Sequence, residues 1–532
     1  MLTFVTCAKL PPEREDGKVE YKLTLEGAGP ERIERLASQM KYRLLEGGGE
    51  AFYVIGVADD GEPVGLTSEE LERSLETLKA VADKVGAKVQ LLRRVRGRRG
   101  LIAEVLVRLS REDTPPVQVT VACLGNVDAG KSTLVGVLCT GQLDDGDGLA
   151  MRRIARFLHE VESGRTSSVS MRFLGFDDEG EVVNYYAVNP LDESHVYLNS
   201  SKVVCFVDLG GHERYLRTTL RGVMAKVPDY AMLVVGANAG LLSMGREHLG
   251  IAVALRIPVF VVVTKVDMVS EEVYRSTLEE VLRVLKMPGV NKLPLVVRDH
   301  DDVVVAARHM PSGRVAPIFR VSSVTGEGLD LLRKFLNLLP PRTRWRERLK
   351  EPLLMYVDEV FNVRGVGPVI AGLLLSGAVA EGDTVLLGPM RDGGWRSVRV
   401  KSIQINRVPV NRAYAGMDAA LALAGVEYEE LEKGLAVLDK RLKPRTVWSF
   451  KARVTILRHP TTIKRGFQSV LHLGAIRSAV KFAEMAREPM RTGDTGIVKL
   501  EFLYHPWYLR EGDTFVLRDS RTRAIGKVLE LC

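Results

Sequence analysis

The run Gly125-Asn126-Val127-Asp128-Ala129-Gly130-Lys131-Ser132, continued by Thr133, has the spacing G-x4-G-K-[ST]. It follows the apolar stretch VQVTVACLG and opens a helical pattern. In that setting glycines let backbone N–H groups wrap phosphates. Lys131 then supplies a cation to the β and γ oxygens, and Ser132 offers a hydroxyl to Mg2+. Further on, Asp208-Leu209-Gly210-Gly211 ends the stretch KVVCFVD. A carboxylate there holds the Mg2+ shell, and Gly211 brings a backbone N–H to the γ-phosphate. Thr264-Lys265-Val266-Asp267 ends VFVVV, where Asp267 accepts both guanine N–H donors as a bidentate pair that adenine cannot reproduce. Ser322-Ser323-Val324 ends IFRVSS and offers backbone N–H to the guanine oxygen. Each motif alone is weak. In this order, each at the C-terminal end of a strand, they specify a guanine nucleotide bound in the crevice of a parallel sheet.

The elements that must position these residues are legible too. From Val117 to about Leu339, VQVTVACLG, KVVCFVDLG, DYAMLVVGA, IPVFVVVTK and APIFRVSS alternate with helical stretches. Runs apolar on both faces and separated by helices predict a parallel α/β sheet covered on both sides. Pro340-Pro341 closes this P-loop domain, taken as residues 116–341. Residues 1–115 read as a small α+β domain with helices from Glu31 to Leu45 and from Ser68 to Val85. Its strands are EAFYVIGV, AKVQLLRRV and LIAEVLVRL, and it carries no catalytic constellation. Beyond Pro341 the pattern turns to short strands with Gly-rich turns, which predicts two antiparallel β-barrels over 342–443 and 444–532.

With 532 residues the chain exceeds one hydrophobic core, and its 46% hydrophobic content supplies several. Cys7, Cys123, Cys139, Cys205 and Cys532 are scattered without a CxxC pair, which excludes a zinc site of that kind and fits a reducing, cytoplasmic setting. The N-terminus meets charge too early for a secretory segment, and no apolar run approaches membrane-spanning length. The net charge of +8 favours polyanionic partners. Arg93, Arg94, Arg96, Arg98 and Arg99 cluster, as do Arg342, Arg344, Arg346, Arg348 and Lys350 around Trp345. Each cluster reads equally as a nucleic-acid face and as solvated surface.

GNVDAGKSTL, ESGRTSSV, DLGGHERY, TKVD and VSSVTGEGLD resemble the elongation factor Tu-like translational GTPases. The match is closest to the GTP-binding protein 1 and 2 subfamily, in an archaeal form, and it extends over nearly the whole chain. The resemblance implies a GTP-hydrolysing factor that uses GTP, GDP and Mg2+. It makes Glu162 to Ser168 a nucleotide-sensing switch, with Thr166 as ligand to Mg2+ and the γ-phosphate. It makes His212, next to Gly211, the catalytic residue that positions water, with Lys131 stabilising charge. In the first barrel Asp358, Glu359 and Phe361 are similar to part of an aminoacyl-end pocket. In the second, Lys464 and Arg465, with His459, Phe467 and Gln468, stand where such factors track tRNA. The implied partners are aminoacyl-tRNA and the ribosome, with the chain acting as a monomer. The alternatives are an adaptor for ribosome rescue or RNA decay, and a GTPase subunit that activates a metabolic enzyme. Three departures stand out. Thr264 replaces the commoner asparagine, Arg165 precedes the switch threonine, and DDEGEVVNYYAVNPLDESHVY reads as an inserted hairpin.

Overall fold

The computed structural model describes residues 9–13, 17–27, 29–111, 115–155, 169–210, 222–519 and 522–532. They divide into two compact units, and the first contains the N-terminal and P-loop regions together.

The N-terminal part runs Val19–Lys22 (β1), Pro30–Glu46 (α1), Glu50–Ile55 (β2), Ser68–Lys84 (α2), Ala87–Arg96 (β3) and Leu101–Leu109 (β4). The sheet order is β1-β2-β4-β3. β1 lies parallel to β2, and the other pairs are antiparallel. A full capping box between Thr67 and Glu70 starts α2. Both helices bury Met40, Leu44, Leu71, Leu75 and Leu78 against Tyr53, Ile55, Val105 and Val107 on one sheet face. The alternate residues Phe52, Leu92 and Leu106 face the other way and share one core with the P-loop region.

That shared face contains a buried ionic knot. Both Glu50 carboxylate oxygens accept from Lys202 Nζ at 3.0 Å, and Arg108 Nε donates to Glu50 at 2.8 Å. Arg108 also donates to the Asn337 side chain, and Lys202 to the Leu339 carbonyl. Desolvation pulls the Lys202 ammonium down to about 8 against the attraction of Glu50. Lys202 and Arg108 outweigh the desolvation of Glu50 and hold its carboxyl below the usual range.

The P-loop region adds Val117–Gly125 (β5), Lys131–Thr140 (α3), Leu149–Ile154 (α4), Ser170–Phe176 (β6), Glu193–Asn199 (α5), Lys202–Asp208 (β7) and Tyr230–Gly236 (β8). It continues with Ser243–Ala254 (α6), Val259–Thr264 (β9), Glu271–Lys286 (α7), Leu293–Val296 (β10), His300–His309 (α8), Val315–Arg320 (β11) and Leu329–Leu338 (α9). The sheet order is β10-β11-β9-β8-β5-β7-β6. Every pair is parallel except β6 with β7. The α/β expectation holds, while β6 and β10 escaped it.

The expected inserted hairpin is corrected. After a single bridge between Phe176 and Val182, the chain forms a 3-10 turn at Val183–Tyr186 and then α5. The fully buried Asn184 takes the place of a ladder. Its side chain accepts from Gly175 N–H at 2.8 Å and donates to the carbonyls of Phe173 and Pro190. Asp192 then caps α5.

The second unit holds two antiparallel barrels, as expected. In the first, Leu354–Tyr356, Ala436–Asp439, Thr384–Gly388, Arg396–Ile405, Asp418–Ala424 and Gly367–Ser376 pair in that order. Pairing of Leu354 with Ser376 and of Met355 with Leu374 closes the ring. The second is a closed barrel of Ser449–Arg458, Thr495–Phe502, Ile476–Met485, Gln468–Leu473, Thr514–Arg518 and Arg523–Leu531. Closure removes the exposed edges that antiparallel sheets otherwise carry. Among the described residues, no helix is long and apolar enough to cross a membrane.

Candidate nucleotide site

The phosphate end of the site is built on backbone. Gly125, Asp128 and Gly130 have φ of 138°, 60° and 84°, which curls the chain between β5 and α3. A Cβ on Gly125 would lie 2.3 Å from the Val234 carbonyl oxygen, so only glycine fits there. α3 begins at left-handed Gly130 without a side-chain cap, so its first-turn N–H groups face the loop cavity. Lys131 is buried and donates to the Asn126 carbonyl at 2.6 Å. Desolvation lowers the pKa of its ammonium, and Asp208 opposes this. A desolvated cation beside a helix N-terminus is complementary to a polyphosphate.

Across the loop, Ser132 Oγ donates to Asp208 Oδ2 at 2.6 Å. β5 and β7 run side by side with Cys123 opposite Asp208, which sets the carboxylate at the sheet's C-terminal edge. A hydroxyl and a carboxylate oxygen converging beside a phosphate cradle are hard donors, and they fit Mg2+.

At the base end, Ser322 Oγ donates to Asp267 Oδ1 at 2.6 Å and orients that carboxylate. Ser322 Oγ also accepts from the N–H groups of Val324 and Thr325, and Ser322 N–H goes to the Glu327 carbonyl. Among the described residues this leaves the Ser323 N–H as the donor of that segment without an internal acceptor. Lys265 is left-handed, at φ 59°. It borders the P-loop, with its Cε 4.0 Å from where a Gly130 Cβ would stand. Thr264 Oγ1 donates to the Ala129 carbonyl at 2.6 Å, so this residue ties β9 to the P-loop.

One contributor escaped the sequence reading. His248 on α6 is fully buried, and its Nδ1 accepts from Gly125 N–H at 3.0 Å. Gly245 N–H on the same helix donates to Asn126 Oδ1. A lone histidine on a helix carries no spacing signal, so only the fold reveals this brace.

Arg165, Thr166, Gly211 and His212 lie outside the described residues. In the first barrel, Asp358 is buried and pairs with Lys226 at 3.1 Å, and Asp418 pairs with the same ammonium. Lys226 closes the helical turn 222–226, which belongs to the barrel unit. Glu359 is held by Lys433 at 2.9 Å, and Phe361 is exposed. In the second barrel Lys464 and Arg465 are exposed on a turn, while His459 is bonded to Thr522 and packed on Phe467. The arginine clusters are largely engaged. Arg93, Arg94 and Arg98 pair with Glu104, Glu72 and Glu62, and Arg348 lies over Trp345.

A phosphate cradle, a hard-oxygen pair and a carboxylate-centred base pocket, all at the C-terminal edge of one parallel sheet, define a P-loop guanine-nucleotide-binding protein. Comparison with known proteins sharpens the class. Residues 117–359 match the Elongation factor Tu GTP binding domain, and residues 367–437 match Elongation factor Tu domain 2. GTP-binding protein 2 of Homo sapiens is 44% identical over 532 residues, covering 98% of this chain and 88% of that one. GTP-binding protein 1 of Xenopus laevis is 43% identical over 518 residues, covering 97% and 79%. A bacterial selenocysteine-specific elongation factor shares the fold at TM-score 0.56 and 23% identity, covering 78% of this chain and 58% of that one. The chain belongs to the elongation factor Tu-like GTPase family, in the group of GTP-binding proteins 1 and 2.

Proposed function

We propose that this protein hydrolyses GTP and serves translation as a cytoplasmic monomer, taking aminoacyl-tRNA in its GTP state and releasing it when the ribosome prompts hydrolysis. The observation that carries this reading is the Asp267–Ser322 pair, a guanine-selecting carboxylate fixed beside a P-loop, in a chain that also carries elongation-factor barrels. Lys131 and the first-turn N–H groups of α3 hold charge on the β and γ oxygens. His212, beside Gly211, orients a water whose oxygen attacks the γ-phosphorus. The bond to the bridging oxygen breaks, GDP leaves, and the water's proton passes to the released phosphate. Ser132, Asp208 and Thr166 would hold Mg2+, which would supply neutralising charge to the phosphate oxygens when bound. Glu359, Phe361, Lys464 and Arg465 contact the tRNA, and Asp358 supports that surface through Lys226.

Two measurements test the reading. Filter binding of charged and uncharged tRNA, with a GTP analogue and with GDP, is expected to show tight binding only for charged tRNA with the analogue. Equal affinity in the two nucleotide states rejects delivery. His212→Ala is expected to keep GTP binding and lose ribosome-stimulated hydrolysis by on the order of a hundredfold. Stimulated turnover that survives the substitution removes the histidine from the mechanism.

A further inference from the structure

The surface of the first barrel carries an open groove of about 870 Å³ that no sequence motif marks. One wall is the strand Arg396–Ile405. Its pairing with Asp418–Ala424 shifts register between Val400 and Ser402, which makes Lys401 the extra residue of a β-bulge. Lys401 and Ser402 are consequently both exposed, where strict alternation would bury one of them. Bulges re-aim side chains, and here the Lys401 ammonium donates to the Val366 carbonyl at 2.5 Å. The opposite wall is the short pair Ala378–Ala380 with Arg412–Tyr414, in which Ala380 faces Arg412. Gly382, at φ 87°, turns between the walls, and Arg399 Nη2 lies 4.0 Å from where its Cβ would stand.

The lining brings together Arg399, Lys401 and Arg412 with the Asn411 amide and one carboxylate, Glu381. Among the described residues, neither Arg399 nor Arg412 is ion-paired with a carboxylate. That separates this cluster from Arg93, Arg94 and Arg98, each of which has its own glutamate. Guanidinium groups without carboxylate partners on an open wall are placed for bidentate contact with phosphate oxygens. The cavity is much larger than one phosphate, whose share of it would be a few tens of Å³, on the order of a water's volume. It therefore suits a chain of phosphates. Glu381 would repel a bare phosphate, but beside Asn411 it is an acceptor for a ribose 2′-hydroxyl, the group that separates RNA from DNA.

We propose that this groove binds the sugar-phosphate backbone of RNA, at a site distinct from the second-barrel turn at Lys464 and Arg465. Backbone contacts set position without reading sequence, so the groove accepts RNAs of unrelated sequence. The site does not depend on the tRNA-delivery reading, because its lining contains none of Glu359, Phe361, Lys464 and Arg465.

The test uses the full chain with GDP bound and a short labelled RNA hairpin without an aminoacyl end, alongside a DNA hairpin of the same sequence. The combined variant Arg399→Gln, Lys401→Gln, Arg412→Gln is expected to bind the RNA about tenfold more weakly or worse. The slope of log affinity against log salt should become shallower by about 2 to 3, near one per lost phosphate contact. GDP affinity should stay unchanged. Glu381→Gln is expected to narrow the preference for RNA over DNA. Wild-type RNA affinity and salt slope in the combined variant overturn the proposal. So does complete loss of binding in Lys464→Gln, Arg465→Gln, or competition by inorganic phosphate at concentrations matching the RNA phosphates. If the combined variant does not fold, Arg412→Gln alone decides, with an expected slope change of about one and none if the proposal is wrong.

Discussion

In the nucleotide site, each chemical group belongs to a short contiguous run at the end of a parallel strand: Lys131 and Ser132 after β5, Asp208 on β7, Asp267 after β9 and Ser322 after β11. In the first barrel, Lys226 is held by Asp418, 192 residues away in sequence. The cations of its groove come from a bulged strand and from a two-stranded edge that it does not pair with. The parallel sheet gathers its chemistry at one edge because every strand ends on the same side. An antiparallel barrel spreads its residues over both rims, so function there depends on register, bulges and cross-strand neighbours. Substitutions should therefore act differently in the two places. At Asp267 they should change ligand choice, and at the buried Lys226 they should change structural integrity.

The largest expected effect is at Asp267. Asp267→Asn keeps an acceptor for Ser322 but places an amide where, on the proposed reading, the carboxylate receives two guanine N–H donors. Affinity for GTP and GDP should fall by about a hundredfold or more. Affinity for xanthine nucleotides, whose C2 carbonyl oxygen accepts from the amide, should rise. Thermal unfolding should scarcely change. Calorimetric titration with the three nucleotides checks this, and a parallel loss of stability would undo the contrast between the two regions.

Lys226→Met should behave in the opposite way. Burial works against the Lys226 charge, but Asp418 and Asp358 outweigh it and hold the ammonium well above the ordinary lysine range. Removing it leaves two neighbouring carboxylates without their shared cation. The expected loss is about 2 to 4 kcal/mol, near the range for breaking a buried pair from one side. Denaturant unfolding should show that loss, with GDP affinity nearly unchanged. Adding Asp418→Asn should recover part of it, since the repulsion between the two carboxylates is then gone.

The same contrast explains what could be read from sequence. The strand-to-helix context of Gly125 to Ser132, and the carboxylates after apolar runs, are local signals, and the P-loop sheet followed from their order. His248 was not legible, because its link to Gly125 crosses 123 residues and joins a helix to a loop. The 177–197 segment does not form the expected hairpin, because the buried side chain of Asn184 satisfies the backbone there. Three arginines of the cluster conspicuous at 93–99 are paired with glutamates, while the groove cations are scattered along the chain and form no local pattern. The shared core between the N-terminal sheet and the P-loop region was hidden for a similar reason. Strand β2 is buried on both faces, and only the fold shows what covers the second one.

The smallest expected effect concerns Thr264, where the sequence departs from the commoner asparagine. Its hydroxyl is buried and donates to the Ala129 carbonyl at 2.6 Å, with a longer contact to Val235 at 3.3 Å. The residue thus braces the P-loop from β9. Thr264→Val keeps the shape and removes the donor, leaving a buried carbonyl unsatisfied at a cost of about 1 to 3 kcal/mol. Because the carbonyl sits within the phosphate loop, part of that cost should appear as nucleotide affinity. About a tenfold loss for GDP corresponds to 1.4 kcal/mol, with the GTP-over-ATP preference preserved because Asp267 is untouched. Thr264→Asn supplies an amide donor of similar reach and should restore most of the affinity. Titration of both variants with GDP and ATP separates the possibilities. Loss of base discrimination in Thr264→Val would mean that the threonine shapes the guanine pocket directly, and the division between a backbone-built phosphate end and a side-chain-built base end would have to be redrawn.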